Sequence, residues 1–82
     1  MEYFDDPIMV NGSVATDGEL DVDQLTWQEQ TYSIISIGRQ WDTETGRHVL
    51  VEAVGNIRFE VALERSSLTW RLKRVWRSQA MA

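Results

Sequence analysis

Ile57-Arg58-Phe59-Glu60-Val61-Ala62-Leu63-Glu64 decides the fold of this 82-residue chain. Ile57, Phe59, Val61 and Leu63 fall on one side at spacing two, with Arg58, Glu60, Ala62 and Glu64 on the other. Successive strand residues point to opposite faces, so this pattern is a strand with one buried side. A helix would tolerate the Glu, Arg, Ala and Leu here. Apolar residues at spacing two would then wrap its whole circumference and leave no single face to bury.

The neighbouring segments follow the same rule. Upstream, Gly55-Asn56 is a turn, preceded by Arg47-His48-Val49-Leu50-Val51-Glu52-Ala53-Val54. There Val49, Val51 and Ala53 face one way and His48, Leu50, Glu52 and Val54 the other. Asp42-Thr43-Glu44-Thr45-Gly46 is a polar turn, and Gly46 is expected to take the left-handed position that closes a hairpin. Before it, residues 31–41 are β-branched and aromatic, with Gly38 placed for a bulge. Downstream, Arg65-Ser66-Ser67 is a loop, and Leu68, Trp70 and Leu72 alternate inward with Arg71 and Lys73 outward. Val75-Trp76 breaks that parity. A helical side for Trp70, Arg74 and Arg77 is the weaker alternative for 70–79.

The front of the chain is less regular. Asn11-Gly12 favours a tight turn within a small hairpin or bent strand, and Asp17-Gly18 is a second turn. Val22 is out of phase with Leu25 and Trp27, so a bulge near Asp23-Gln24 is needed to bury all three. Residues 1–7 are expected to form a loose arm, anchored if Tyr3 and Phe4 dock in a groove. Residues 78–82 are expected to fray. The whole is one all-β domain, 1–82: a small curled antiparallel sheet or partly open barrel of four to six strands, of SH3-like size. Its expected radius of gyration is about 12 Å. Phe59, Val61, Trp70 and Leu72 are its predicted core, with Trp27 and Trp41 also packed inside.

Composition excludes several chemistries. Cys is absent, which removes disulfides, thiolate metal sites and cysteine nucleophiles. One His cannot build a two-imidazole site, and His48 is read as an exposed residue at a strand start, neither catalytic base nor metal ligand. The acidic 17–23 stretch has Val22 and Gln28 where a calcium loop needs Gly and Glu, so it reads as a solvated loop. Glu52 and Glu60 lie on adjacent strands, as pairs do by chance among 13 acids. No metal and no cofactor is expected. No apolar run approaches the roughly 20 residues of a membrane helix, and the acidic start is unlike a signal peptide. The expected setting is cytoplasmic, without membrane contact.

Net charge is −5, unevenly spread. Residues 1–38 hold eight acids and no Lys or Arg; residues 39–82 hold five acids and all eight bases. Arg71, Lys73, Arg74 and Arg77 crowd the end of the chain around Trp76. Either the acidic front compensates them within the fold, or they face a partner. An aromatic flanked by Arg suits a protein contact. It also suits base stacking, although the overall charge opposes binding to a polyanion.

Three stretches carry a family likeness: Leu25-Thr26-Trp27 leading to Tyr32 and Trp41, Val49-Leu50-Val51-Glu52-Ala53, and Trp70-Arg71-Leu72-Lys73-Arg74-Val75-Trp76. Over about residues 24–77 the chain resembles a family of short bacterial domains of unknown function with a closing Trp-x-Leu-x-Arg-Val-Trp. Some relatives in that family are associated with Y-family DNA polymerases or their operons. The resemblance implies the β fold and brings no biochemical activity with it. The acidic front lies outside it.

The expected function is therefore a non-enzymatic interaction domain that binds a protein partner or pairs with itself as a homodimer. Its candidate surface is Arg71, Lys73, Arg74, Trp76 and Arg77. A nucleic-acid-associated accessory role in DNA repair or translesion synthesis is the alternative. A small enzyme of unidentified class comes third.

Overall fold

The computed structural model describes residues 1–77, and they form seven strands: β1 (Glu2–Pro7), β2 (Met9–Val14), β3 (Leu20–Trp27), β4 (Gln30–Asp42), β5 (Gly46–Ala53), β6 (Ile57–Glu64) and β7 (Trp70–Arg77). They make one curled sheet in the order β1-β7-β6-β5-β4-β3-β2, with every pair antiparallel. The all-β, curled antiparallel reading holds, but the strand count of four to six is too low. The predicted fraying at 78–82 lies outside the described residues.

Residues 1–7 account for much of the shortfall. They are not a loose arm: β1 pairs with β7, Tyr3 opposite Arg74 and Asp6 opposite Leu72. Nothing in Glu-Tyr-Phe-Asp-Asp-Pro alternates, because this strand is specified by its partner rather than by its own apolar spacing. Pro7 sits on a marginal strand, where a missing N–H costs least. Only Ile8 separates β1 from β2, and its N–H donates to the Trp70 carbonyl at 3.1 Å. The two margins of the sheet are thus successive halves of one bent stretch, residues 2–14. Phe4 anchors it edge-on against Trp27, with ring centroids 4.9 Å apart, and the Trp27 Nε1–H donates to Asp6 Oδ2 at 3.1 Å. Tyr3 stays exposed.

The interior is built by the predicted alternation of β5 and β6. Val49 faces Val61, Val51 faces Phe59, and Ala53 faces Ile57, all buried. Leu72 and Val75 add β7, and Leu20, Val22, Leu25 and Trp27 add β3. Phe59 is fully enclosed, with Tyr32 and Trp27 edge-on at 4.9 and 6.2 Å. Fully burying one such side chain contributes about 1.5–3 kcal/mol. Two Trp expectations need correction. Trp70 is half-buried and packs on the core margin, and Trp41 is half-buried outside the core. Leu68 is not inward at all. It is exposed in the loop at φ 54°, and the strand starts at Trp70.

Bulges set the curl. The predicted one in β3 falls at Asp23, because Asn11 pairs with Gln24 while Gly12 pairs with Val22. The turn predicted at Asn11-Gly12 does not form there. Gly12 lies inside β2, where a Cβ would collide with the Asp21 carbonyl, and the chain reverses at residues 15–19. Gly46 is likewise not left-handed: it opens β5, where a Cβ would collide with the Leu63 carbonyl of β6. Gly55 and Asn56 do take positive φ, 97° and 58°, but the turn also takes in Val54, so Ala53 pairs with Ile57 across three residues and β5 ends one residue earlier than expected. β4 bulges after Ile34 and again between Ile37 and Gln40, around the predicted Gly38. The parity break in β7 comes earlier than expected, at Lys73, which is the extra residue between Glu60↔Arg74 and Val61↔Leu72. The radius of gyration is 12.3 Å.

Candidate interaction surface

β7 lies between β1 and β6, and both neighbours present acids to it. Arg71 Nε donates to Glu64 Oε1 at 2.6 Å, and its Nη1 donates to the Asp5 carbonyl at 2.8 Å. Lys73 Nζ donates to Asp5 Oδ1 at 2.8 Å. That hydrogen bond is the main cause holding the Asp5 carboxyl below its ordinary range, with the Lys73 and Arg71 charges adding to it. The hydrogen bond with Glu64 raises the Arg71 guanidinium above its ordinary value. Arg77 Nε has Glu2 Oε1 at 4.0 Å, with both side chains more than half exposed. Of the five residues predicted as a surface, Arg71 and Lys73 are thus held by internal carboxylates. The acidic front compensates the basic strand across the β1–β7 pairing.

Arg74 belongs to a deeper arrangement. Its Nε bonds Glu60 Oε1, and its guanidinium lies 4.7 Å from the Trp76 ring centre. Glu60 is 6% exposed, and its other oxygen meets His48 Nδ1 at 2.7 Å. His48 is 8% exposed, with Nε2 lying 3.1 Å from Thr43 Oγ1 and the Trp41 ring stacked on it at 5.4 Å. The expected exposed His48 is therefore wrong, and so is Glu60 as a solvent-side residue. Trp41, Ala62 and Arg74 cover the side of β5 and β6 that alternation assigns to water. A buried carboxylate is tolerable only when fully hydrogen-bonded, and here His48 and Arg74 complete it. Every buried side-chain N or O among the described residues has a partner.

Thr43, His48 and Glu60 run hydroxyl, imidazole, carboxylate, the order of a nucleophile relay. The Thr43 hydroxyl is engaged otherwise. It accepts from the Gly46 N–H and lies 3.3 Å from the Gly46 carbonyl, which makes it the clamp of the β4–β5 turn. The Glu52–Glu60 pair does not form a site, because Glu60 is turned to His48 and Arg74 while Glu52 stands opposite Arg58. Among the described residues no group of three metal-ligating side chains comes together. No helix there is long and apolar enough to cross a membrane.

Trp76 and Arg77 are arranged differently. With Leu50 of β5 and Arg58 of β6 they line a groove of about 420 Å³. Leu50 and Arg58 are absent from the sequence-derived surface. Their signal was present: both have the outward parity of their strands, and the β6–β7 register sets Arg58 opposite Trp76. Fixing that register needs the length of the 65–69 loop, which alternation alone leaves open.

Against protein-family models, curated proteins and solved structures, the chain has no match.

Proposed function

We propose that this chain is a small non-enzymatic interaction domain that binds a protein partner through the outer side of β7. The observation that carries the reading is the half-exposed Trp76, bracketed by Arg74 and Arg77 on β7 and by Arg58 on β6. Trp and Arg on a fixed scaffold dominate the energetics of protein contacts. The sheet supports those side chains from beneath with Val75 and Phe59, both buried and paired with each other. Self-association through the same face is a second form of this reading, and the acids of a second copy would be its complement.

The nucleic-acid-associated alternative draws on the same Trp76. It is weakened by the acids that already occupy Arg71, Lys73 and Arg74, since phosphate neutralisation needs several unengaged cations. The testing experiment is capture from native cell extract by the full chain, beside a double variant Trp76→Ser with Arg77→Glu. A partner held by the wild type and released by the variant is expected. Sizing across concentration separates self-association from a foreign partner. Binding of single- or double-stranded DNA at micromolar concentration or tighter and about 0.15 M salt, with no protein captured and no dimer, would defeat the reading.

A further inference from the structure

The eight bases divide sharply by whether the fold has already used them. Six have a carboxylate within 4.0 Å, and among the described residues Arg58 and Arg39 have none. Arg39 lies against the Trp41 ring, 5.6 Å from its centre. Arg58 is exposed and stands opposite Trp76, in the groove that Leu50 and Arg77 complete. Arg77 reaches only the outer limit of an ion pair with Glu2. The groove therefore combines one unpaired guanidinium, one weakly held guanidinium, an indole and an aliphatic side chain.

The geometry points to this groove as the docking site for a short acidic and apolar segment of a protein partner. One carboxylate is taken by Arg58 and Arg77, and a neighbouring apolar side chain lies over Leu50 and Trp76. This deepens the protein-binding reading and rests on it. The forked donors of Arg suit a carboxylate in two-point contact. Arg58 and Arg77 against Glu52, which stands opposite Arg58, leave one positive unit, with Glu2 only at the 4.0 Å limit from Arg77. That matches a single carboxylate and is poor for a run of phosphates, whose binding depends on releasing several counterions. The −5 net charge of the chain acts against a long polyanion in the same direction.

The test is an amide and indole NMR titration of the full chain at about 0.15 M salt. The probe is a capped peptide with leucine flanked by glutamates. Controls replace both glutamates with glutamine, or the leucine with glycine, and oligothymidylate is titrated separately. The expected result is shifts centred on the Trp76 indole N–H and the Leu50 and Arg58 amides. Affinity should fall about tenfold for the glutamine peptide and for Arg58→Gln, the loss of one charge-assisted contact. Arg58 is exposed and outside the core, so this variant keeps the fold; Arg77→Gln gives a second check. Equal binding of the glutamine peptide, shifts centred on Lys73 instead, no shift at millimolar peptide, or tighter oligothymidylate binding each overturns the assignment. A partner captured equally by wild type and Arg58→Gln overturns the groove while leaving the protein-binding reading intact. Absence of both peptide shifts and captured partner overturns both.

Discussion

The two ends of β7 are written in the same residues, Trp and Arg, and do different things. At Trp70-Arg71 the indole packs on the core margin and the guanidinium is bound by Glu64 and the Asp5 backbone. At Trp76-Arg77 the indole lines an open groove and the guanidinium has only a distant Glu2. What differs is the neighbouring strands. β1 and β6 deliver Asp5, Glu64 and Glu60 to the first six residues of β7, while β6 sets Arg58 opposite Trp76 and Ile57 opposite Arg77. A basic run in a sequence is thus open to a partner only over the part that the fold has not already neutralised.

Four measurements would break or sharpen that contrast. The largest effect is expected at Glu60, which holds Arg74 between the two ends and bonds His48. Glu60→Ala strands a buried imidazole and a guanidinium together, and should cost about 3 kcal/mol. In a domain of this size that lowers Tm by roughly 10–20 °C. A melt within about 2 °C of wild type would show that the His48–Glu60–Arg74 network is ornamental.

Next comes a direct comparison of the two indoles. Trp70→Ala should cost about 2 kcal/mol, less than the roughly 3–5 of a fully buried ring, and Trp76→Ala less than about 1. Equal denaturant midpoints for the two variants would erase the distinction between packed and open ends.

A smaller effect concerns pH. The Lys73 hydrogen bond depresses the Asp5 carboxyl in the folded chain below its ordinary 3.8. A depressed carboxyl contributes stability that is present above its unfolded value and disappears as pH falls through the folded one. Asp5 is two-thirds exposed, so solvent screening limits the contribution to under about 0.5 kcal/mol. The difference between wild type and Asp5→Asn in urea midpoint should therefore be present near pH 6 and vanish near pH 2. A difference that grows on acidification would reverse the assigned sign. The smallest effect is Arg58→Gln, which should leave stability within about 0.5 kcal/mol. A larger loss in a melt would mean that Arg58 serves the fold rather than a partner.

How much of this could be read from the sequence depends on whether a segment's partner is near it in the chain. The inward faces of β5 and β6 were legible, because Val49, Val51, Phe59 and Val61 alternate without interruption; their exact register was not, because the turn takes in Val54 as well as Gly55-Asn56. The Asp23 bulge could be read from the phase error of Val22. β1 was not legible: its acids and Pro7 carry no apolar period, and its partner lies at the other end of the chain. Gly12 and Gly46 were misread for a shared reason. Glycine marks close backbone approach as well as positive φ, and sequence does not separate the two. His48 was misplaced because alternation assigns a face and not what covers it. Trp41 stacks on the ring from directly across the β4–β5 hairpin, and Arg74 comes from β7, distant in sequence, to its partner Glu60. At the candidate surface, Trp76 and Arg77 were visible as residue types. Arg58 and Leu50 required the register of β6 on β7.

The bent stretch at residues 2–14 also has a kinetic consequence. Its Asp5 contacts Lys73 across 68 positions, whereas the Arg47–Asp42 bond within the β4–β5 hairpin spans five. Hairpins of that local kind close within about 1–10 μs, but closing the longer loop costs about 2 kcal/mol more entropy before any contact repays it. During synthesis the first strand leaves the ribosome early and must wait, unpaired, until β7 follows. Throughout that interval its backbone donors and acceptors are open to any other extended chain. The run of acids at Glu2, Asp5 and Asp6 gives waiting copies a mutual repulsion, so the charges that later neutralise β7 first keep nascent chains apart.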